Sequence, residues 1–271
     1  MRAALLIAVM LAGCGERSAE APANEPSPSA FSDEVTKPQP EPAPAARLFK
    51  VEEKSSLYNF SYSWSAEAAA IPELVDRFTK DKDKLKAETI ASAKDDRDER
   101  LKQGFPFNGY DTQKSYETAG ESERLLSLEL SVYSFTGGAH GSSGSGSLIW
   151  DRLLKREVSI QDLLQPGASW TGAIRQPFCV LLNREREKRR EEPVKPDDMF
   201  GNCPEYKEVT VIPAETDKNG RFDHLTVIAD QYVAGPYAEG NYEISLPVTA
   251  TMIERLKPEY RPSFEPRPGV K

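Results

Sequence analysis

Histidine is almost missing from this chain of 271 residues, which holds only His140 and His224, and its three cysteines include no CxxC pair. A zinc centre draws four closely spaced ligands of those types, so no metal and no cofactor is expected. Long apolar runs are missing too. The longest, Ala3 to Met10, continues through Leu11-Ala12-Gly13-Cys14 and is followed at once by Gly15, Glu16 and Arg17. A membrane-crossing helix needs about 20 apolar residues, so none is expected. An excess of cations is equally absent: the net charge is -8, which removes the basic face of a general nucleic-acid binder and with it nucleic acid as a partner. There is no internal repeat long enough for a solenoid.

What the N-terminus does hold is a charge at Arg2, a short hydrophobic core and a small-residue cleavage site, the order of a secretory leader over residues 1–13. Leu11-Ala12-Gly13-Cys14 resembles the lipobox of bacterial lipoproteins. That resemblance implies that Cys14 receives a diacylglyceryl group, becomes the mature N-terminus and binds the membrane through lipid alone, on the periplasmic side of the cell envelope. Gly15 in place of aspartate implies the outer membrane if the host is Gram-negative. Residues 14–46 then form a tether: from 15 to 46 there are seven prolines among Ala, Ser and Glu, too little apolar surface to fold. In an exported chain the remaining pair, Cys179 and Cys203, reads as one disulfide, with two buried free thiols as the alternative.

Beyond the tether, periodicity sets the elements. Tyr58, Phe60, Tyr62 and Trp64 alternate with polar residues as a half-buried strand. Pro72 opens a helix running to about Lys102, with Leu74, Val75, Phe78 and Leu85 at helical spacing and a charged second half, Lys94 through Arg100, facing solvent. Strands are expected at Tyr110–Thr118, Arg124–Phe135 and Leu148–Leu153, the last paired back across the glycine-rich segment 136–147. A helix from about Trp170 to Glu192 is expected to kink or restart at Pro177. Its arginines at 184, 186, 189 and 190 are nearly cancelled by glutamates, and Glu185 to Arg189 spacing reads as a solvated helix end. Strands Val209–Ile212, Phe222–Ile228 after an Asn219-Gly220 turn, and Tyr242–Leu246 precede a closing helix, Thr249–Leu256. The whole reads as α+β, antiparallel sheets with helices packed on one side.

The most distinctive string is Tyr133-Ser134-Phe135-Thr136-Gly137-Gly138-Ala139-His140-Gly141. It resembles the (Y/F)TGGAHG signature of the RsiV-like family, the extracytoplasmic domain of lysozyme-sensing anti-sigma factors. Asp151, Val158, Ile160 and Asp162-Leu163-Leu164 continue the resemblance, and Gly235-Pro236-Tyr237-Ala238-Glu239-Gly240 is similar to the family's second motif, A-P-Y-A-A-G. The likeness covers about residues 50 to 260. It implies two sequential α/β subdomains, 47–122 of a type also found at the front of a peptidoglycan deacetylase and 123–260 with both motifs, then a tail, 261–271. The sigma-binding segment and membrane helix of the anti-sigma factors have no counterpart here, nor has the deacetylase catalytic domain, whose metal site would need more histidines.

Chemically, the signature is sparse. A triad needs a nucleophile and an orienting acid beside the histidine; Ser142, Ser143 and Ser145 are near His140 but lack the G-x-S-x-G spacing. The simpler reading is that Gly137, Gly138 and Gly141 supply left-handed turns while His140 bonds the loop backbone. Asp217, Asn219, Gly220 and Asp223 echo a calcium loop without its closing glutamate, as an Asn-Gly hairpin turn would. The resemblance implies a non-catalytic envelope binding module whose partner is a lysozyme-like muramidase or peptidoglycan, with Thr136, Gly137, Gly138, His140 and Gly141 as the candidate ligand loop and Pro236, Tyr237 and Gly240 as the second contact. The alternatives are a metal-free hydrolase using His140 and a passive structural lipoprotein.

Overall fold

The aromatic alternation from Tyr58 to Trp64 forms strand β2 (Tyr58–Trp64), and it buries the side the period selects: Phe60, Tyr62 and Trp64 are almost fully covered while Asn59 stays exposed. The computed structural model describes residues 46–267. The leader, the Cys14 lipidation site and all but the last residue of the tether lie outside the described residues. Before β2 comes β1 (Phe49–Lys54); after it come a short helix α1 (Ala66–Ala69), the long helix α2 (Pro72–Lys102), and strands β3 (Tyr110–Glu121), β4 (Leu125–Phe135), β5 (Ser142–Asp151) and β6 (Arg156–Val158). Then follow α3 (Ile160–Leu163), α4 (Thr171–Arg190), strands β7 (Thr210–Ala214), β8 (His224–Ala229) and β9 (Tyr242–Pro247), and α5 (Ala250–Glu254). Among the described residues no helix is long and apolar enough to cross a membrane.

Two open sheets result. One has the order β1-β2-β3-β4-β5-β6 and the other β7-β8-β9. The smaller is antiparallel, and so is the larger except at β2–β3, which pair in parallel from Tyr58↔Tyr110 to Trp64↔Tyr116. The expected antiparallel order holds at every other pair and fails only there. The reason is α2: a 31-residue helix carries the chain back from the end of β2 to the start of β3, the crossover that a parallel pair requires and a tight hairpin cannot supply. Between β3 and β4 the chain turns tightly, with Ser122 N–H donating to Leu125 O at 2.7 Å, so the strands on either side of residues 122–124 are neighbours in one sheet.

Each sheet carries its long helix on one side. Leu74 and Phe78 of α2 pack on Trp64, Tyr116, Leu126 and Leu128, with Phe78 stacked on Tyr116 at a ring separation of 4.0 Å. Each such buried side chain contributes roughly 1.5–3 kcal/mol. A second apolar cluster joins Ile174, Phe178 and Leu182 of α4 to Val227, Tyr242 and Ile244 of the smaller sheet and to Leu125, Ile149 and Val158 of the larger. Residues 261–267, expected as part of a tail, continue the fold: Phe264 is buried and meets Trp170 edge-on at 5.8 Å.

Two local expectations change. The glycine-rich stretch is a loop only up to residue 141; from Ser142 it is strand, because Ser142 through Ser147 pair with β4. Gly144 and Gly146 lie opposite Val132 and Leu130, whose side chains come within 3.2 and 3.1 Å of where a Cβ would stand. Helix α4 runs unbroken through Pro177, which lies on the exposed side, where the carbonyl it leaves unpaired can be met by water.

Candidate binding surface

The two distinctive segments, nearly a hundred residues apart in sequence, meet in space. His140, on the loop between β4 and β5, stacks on Tyr237 with ring centres 3.8 Å apart and planes 24° from parallel. Tyr232 completes the cluster, 6.4 Å from His140 and 6.1 Å from Tyr237. His140 Nδ1 lies 2.8 Å from Gly141 O. A carbonyl oxygen only accepts, so Nδ1 carries the proton, and Nε2 is left to accept from the Tyr232 hydroxyl at 3.3 Å. His140 and Tyr232 are exposed, Tyr232 to 56%.

The backbone supports this cluster in two ways. Gly137 adopts φ +88°, a conformation that costs little only for glycine, and its carbonyl accepts from Arg100 at the end of α2 at 3.4 Å. Gly138 and Gly141 do not take left-handed φ, contrary to expectation; Gly141 is needed because a Cβ there would run into the Tyr133 ring. In the second segment Gly240 has φ 69° and ψ -160°, a region nearly closed to other residues. Tyr232 itself sits at φ +68°, which costs about 1–3 kcal/mol and persists only where surroundings impose it.

Those surroundings come from α4. Arg186 is fully buried and donates to Ala234 O at 2.8 Å, Asn202 O at 3.1 Å and Asn183 Oδ1 at 3.1 Å. Arg190 grips Glu239 through two bonds of 2.9 and 3.0 Å. Arg189 donates to Glu239 O at 2.7 Å and Asn241 O at 2.9 Å and covers the Tyr242 ring at 4.1 Å. Burial works against the Glu239 charge, but the Arg190 guanidinium and the Tyr242 hydroxyl outweigh it and hold its carboxyl below the ordinary range. The reading of this arginine cluster as a solvated helix end is therefore corrected: Glu185 does pair with Arg189 at 3.0 Å, yet three arginines clamp the second segment. Cys179 and Cys203 form the disulfide, Cα atoms 5.5 Å apart, which fixes the loop bearing Asn202.

A second link ties the segment to the larger sheet. Strand β6 covers only Ile149–Asp151 of β5, so Ser145 faces outward on a bare edge. Asp230 accepts from Ser145 N–H at 3.0 Å and from its hydroxyl at 2.7 Å, and Thr210 donates to Ser145 O at 3.1 Å. Side chains thus block an edge that would otherwise invite another strand. Asn241 donates to the same Asp230 at 3.2 Å.

Of the residues singled out from sequence, His140 and Tyr237 touch; Gly137, Gly141 and Gly240 shape their loops; Thr136, Gly138 and Pro236 are exposed beside them. Neither ring nitrogen of His140 faces a serine, and Ser145 gives its hydroxyl proton to Asp230, so no serine is placed to pass its proton to His140. The calcium-like residues have a different cation: Arg267 reaches Asp217 at 2.9 Å and Asp223 at 2.5 Å, while Glu265 accepts from Asn219 at 2.9 Å. Reading the sequence placed Arg186 in a solvated helix end and gave no role to Asp230 or Tyr232. The 186, 189, 190 spacing on one helix face was the available signal.

Fold and surface together define a mixed α/β protein of two open sheets that carries an aromatic cluster at its surface. Residues 51–143, from β1 to the start of β5, match the family described as Deacetylase PdaC, so the chain carries a PdaC deacetylase-like stretch that includes the first signature loop. No curated protein matches. Among solved structures, a DUF3298 family protein of Pseudomonas aeruginosa is similar with 20% identity and a TM-score of 0.49, over 82% of this chain and 98% of that one. A member of the same family from Bacteroides fragilis follows with 16% identity and a TM-score of 0.48, over 80% and 95%.

Proposed function

We propose that this chain is a lipid-anchored, non-catalytic binding module of the RsiV-like type, held at the periplasmic face of the cell envelope, with a lysozyme-like muramidase as its partner. In a Gram-negative host the lipid sits in the outer membrane. One observation carries the reading: two segments distant in sequence converge on a His140–Tyr232–Tyr237 cluster, with His140 and Tyr232 exposed and Tyr237 half-buried, whose supports are buried and hydrogen-bonded. Exposed tyrosines on a rigid base are the usual anchors of protein interfaces. The net charge of -8 speeds encounter with a basic partner. A catalytic reading has no comparable support, since His140 is occupied by Gly141 and Tyr232.

The test is calorimetry of the purified full-length protein with a lysozyme, beside a pull-down with purified sacculi. Binding of the lysozyme is expected, weakened about tenfold or more by Tyr232→Ala. Retention on sacculi with no lysozyme binding would replace the muramidase by the wall polymer. Binding to neither overturns the proposal.

A further inference from the structure

Helix α4 carries more apolar surface than its packing uses. Its buried stripe is Ile174, Phe178 and Leu182, spaced four residues apart as one helix face requires. A second stripe runs beside it through Ala173, Pro177, Val180 and Leu181, of which Pro177 is exposed and Val180 is 50% exposed. A helix that had only to cover the smaller sheet would turn polar residues outward here, as α4 does one and two turns further on at Arg184 and Lys188.

The stripe forms one wall of a groove of about 300 Å³, and Leu246 and Pro247 at the end of β9 with Met252 of α5 form the other. From Ala173 to Arg184 it runs for roughly 16 Å at 1.5 Å per residue. A mainly apolar cleft with a few placed polar groups is the usual form of a small-molecule site. Here the two ends differ. Arg184 stands at one, exposed and without a hydrogen bond or ion pair among the described residues. At the other, Pro177 has no N–H to give, so the Ala173 carbonyl lacks its helix donor and would repel an anion.

No carboxylate lines the groove. Glu185 is taken by Arg189 and Lys188, Glu243 alternates to the other face of β9, and Glu187 and Glu254 are exposed outside the lining. An aliphatic chain with a negative head fits this asymmetry. Its methylenes take the exposed apolar wall out of water, and its head meets a guanidinium whose planar fork suits a carboxylate.

We infer that the groove between α4 and β9 binds a linear fatty acid, its chain along Val180 and Leu181 and its carboxylate on Arg184. No lining residue belongs to the aromatic cluster, and the inference does not rest on a muramidase being that cluster's partner.

The experiment is a titration of the purified full-length protein with decanoate, kept below the concentration at which it forms micelles, followed by calorimetry and by amide chemical shifts. Decyltrimethylammonium, the same chain with a cationic head, is titrated beside it. Expected are decanoate shifts centred on residues 176–184 and 246–252, and binding of the cationic probe weaker by about tenfold or more. Arg184→Gln and Val180→Glu, both at exposed positions, should each lose about tenfold or more in decanoate affinity, with Tyr232→Ala unchanged. No binding by the wild-type protein, or shifts confined to other residues, overturns the inference. Equal binding of the two probes, or full affinity in Arg184→Gln or Val180→Glu, overturns it as well. So do shifts of these residues with phosphatidylglycerol vesicles but not with decanoate, which would make the groove a membrane contact. Lysozyme binding is expected to be unchanged in Val180→Glu and weakened in Tyr232→Ala, so failure of one proposal is told apart from failure of the other.

Discussion

Two helices end in charged runs that look alike in the sequence and behave differently in the fold. In α2, Lys94 to Arg100 is a mixed-sign stretch that points mainly to water, with Arg100 paired to Asp96 at 2.7 Å and its one distant bond, to Gly137 O, a long 3.4 Å. In α4 the run from Arg184 to Arg190 has the same mixture, yet Arg186 is fully buried and Arg189 and Arg190 hold backbone and carboxylate groups some fifty residues further along. Charge balance along a helix does not distinguish a solvated face from a clamp. What matters is whether another segment arrives within reach, and at α4 the loop from Ala234 to Asn241 does.

The sharpest way to break this comparison is Arg186→Ala. It leaves Asn202 O without the Arg186 donor and Ala234 O with only the longer Arg190 bond of 3.3 Å, and it opens a cavity, so a loss of about 3–5 kcal/mol in unfolding free energy is expected; a loss below about 1 kcal/mol by urea denaturation would put Arg186 with the solvated charges. Removing the disulfide by Cys179→Ala with Cys203→Ala is expected to cost roughly 3 kcal/mol, and to weaken muramidase binding because the Asn202 loop no longer steadies Arg186.

Next in size is Glu239→Gln, which ends the paired bond to Arg190. About 2 kcal/mol is expected from that partly buried pair, with weaker binding by the aromatic patch. The same carboxyl sets a pH dependence. Its folded pKa lies below its ordinary value of 4.5, so the unfolded chain takes up the proton first. The stabilisation is complete above that value and disappears as the pH falls through the folded one. Asp151, buried but bonded to Leu154 N–H, Arg124 and Tyr260, shifts the same way. Melting temperature should therefore be flat above about pH 5 and drop below it, less steeply in Glu239→Gln. The smallest effect belongs to α2: Arg97→Ala should change stability by no more than about 0.5 kcal/mol.

Legibility followed the range of the interaction. The helix from Pro72 to Lys102 and the strand from Tyr58 to Trp64 were both readable from period alone, because proline at a first turn and alternating aromatics are local signals. In β4 burial does not follow a two-residue period throughout. Leu125 to Leu128 are buried on both faces because both are covered, whereas Val132 is 39% exposed and lines an open groove beside α2. The parallel β2–β3 pairing and the strand at Ser142–Ser147 escaped notice because each depends on a partner strand remote in sequence. Of the candidate surface, His140 and Tyr237 were marked by their motifs, but that they touch is a property of the fold.

By itself, the sequence determined the local elements, the cysteine pair available to form a disulfide, and the two glycine-bearing segments, since backbone preference and spacing act over a few residues. The tertiary structure decided which arginines are buried, which apolar side chains of α4 stay outside the core and that the two segments form one surface. Those outcomes turn on desolvation and hydrogen bonding between groups tens of residues apart, and only the packed chain brings such groups together.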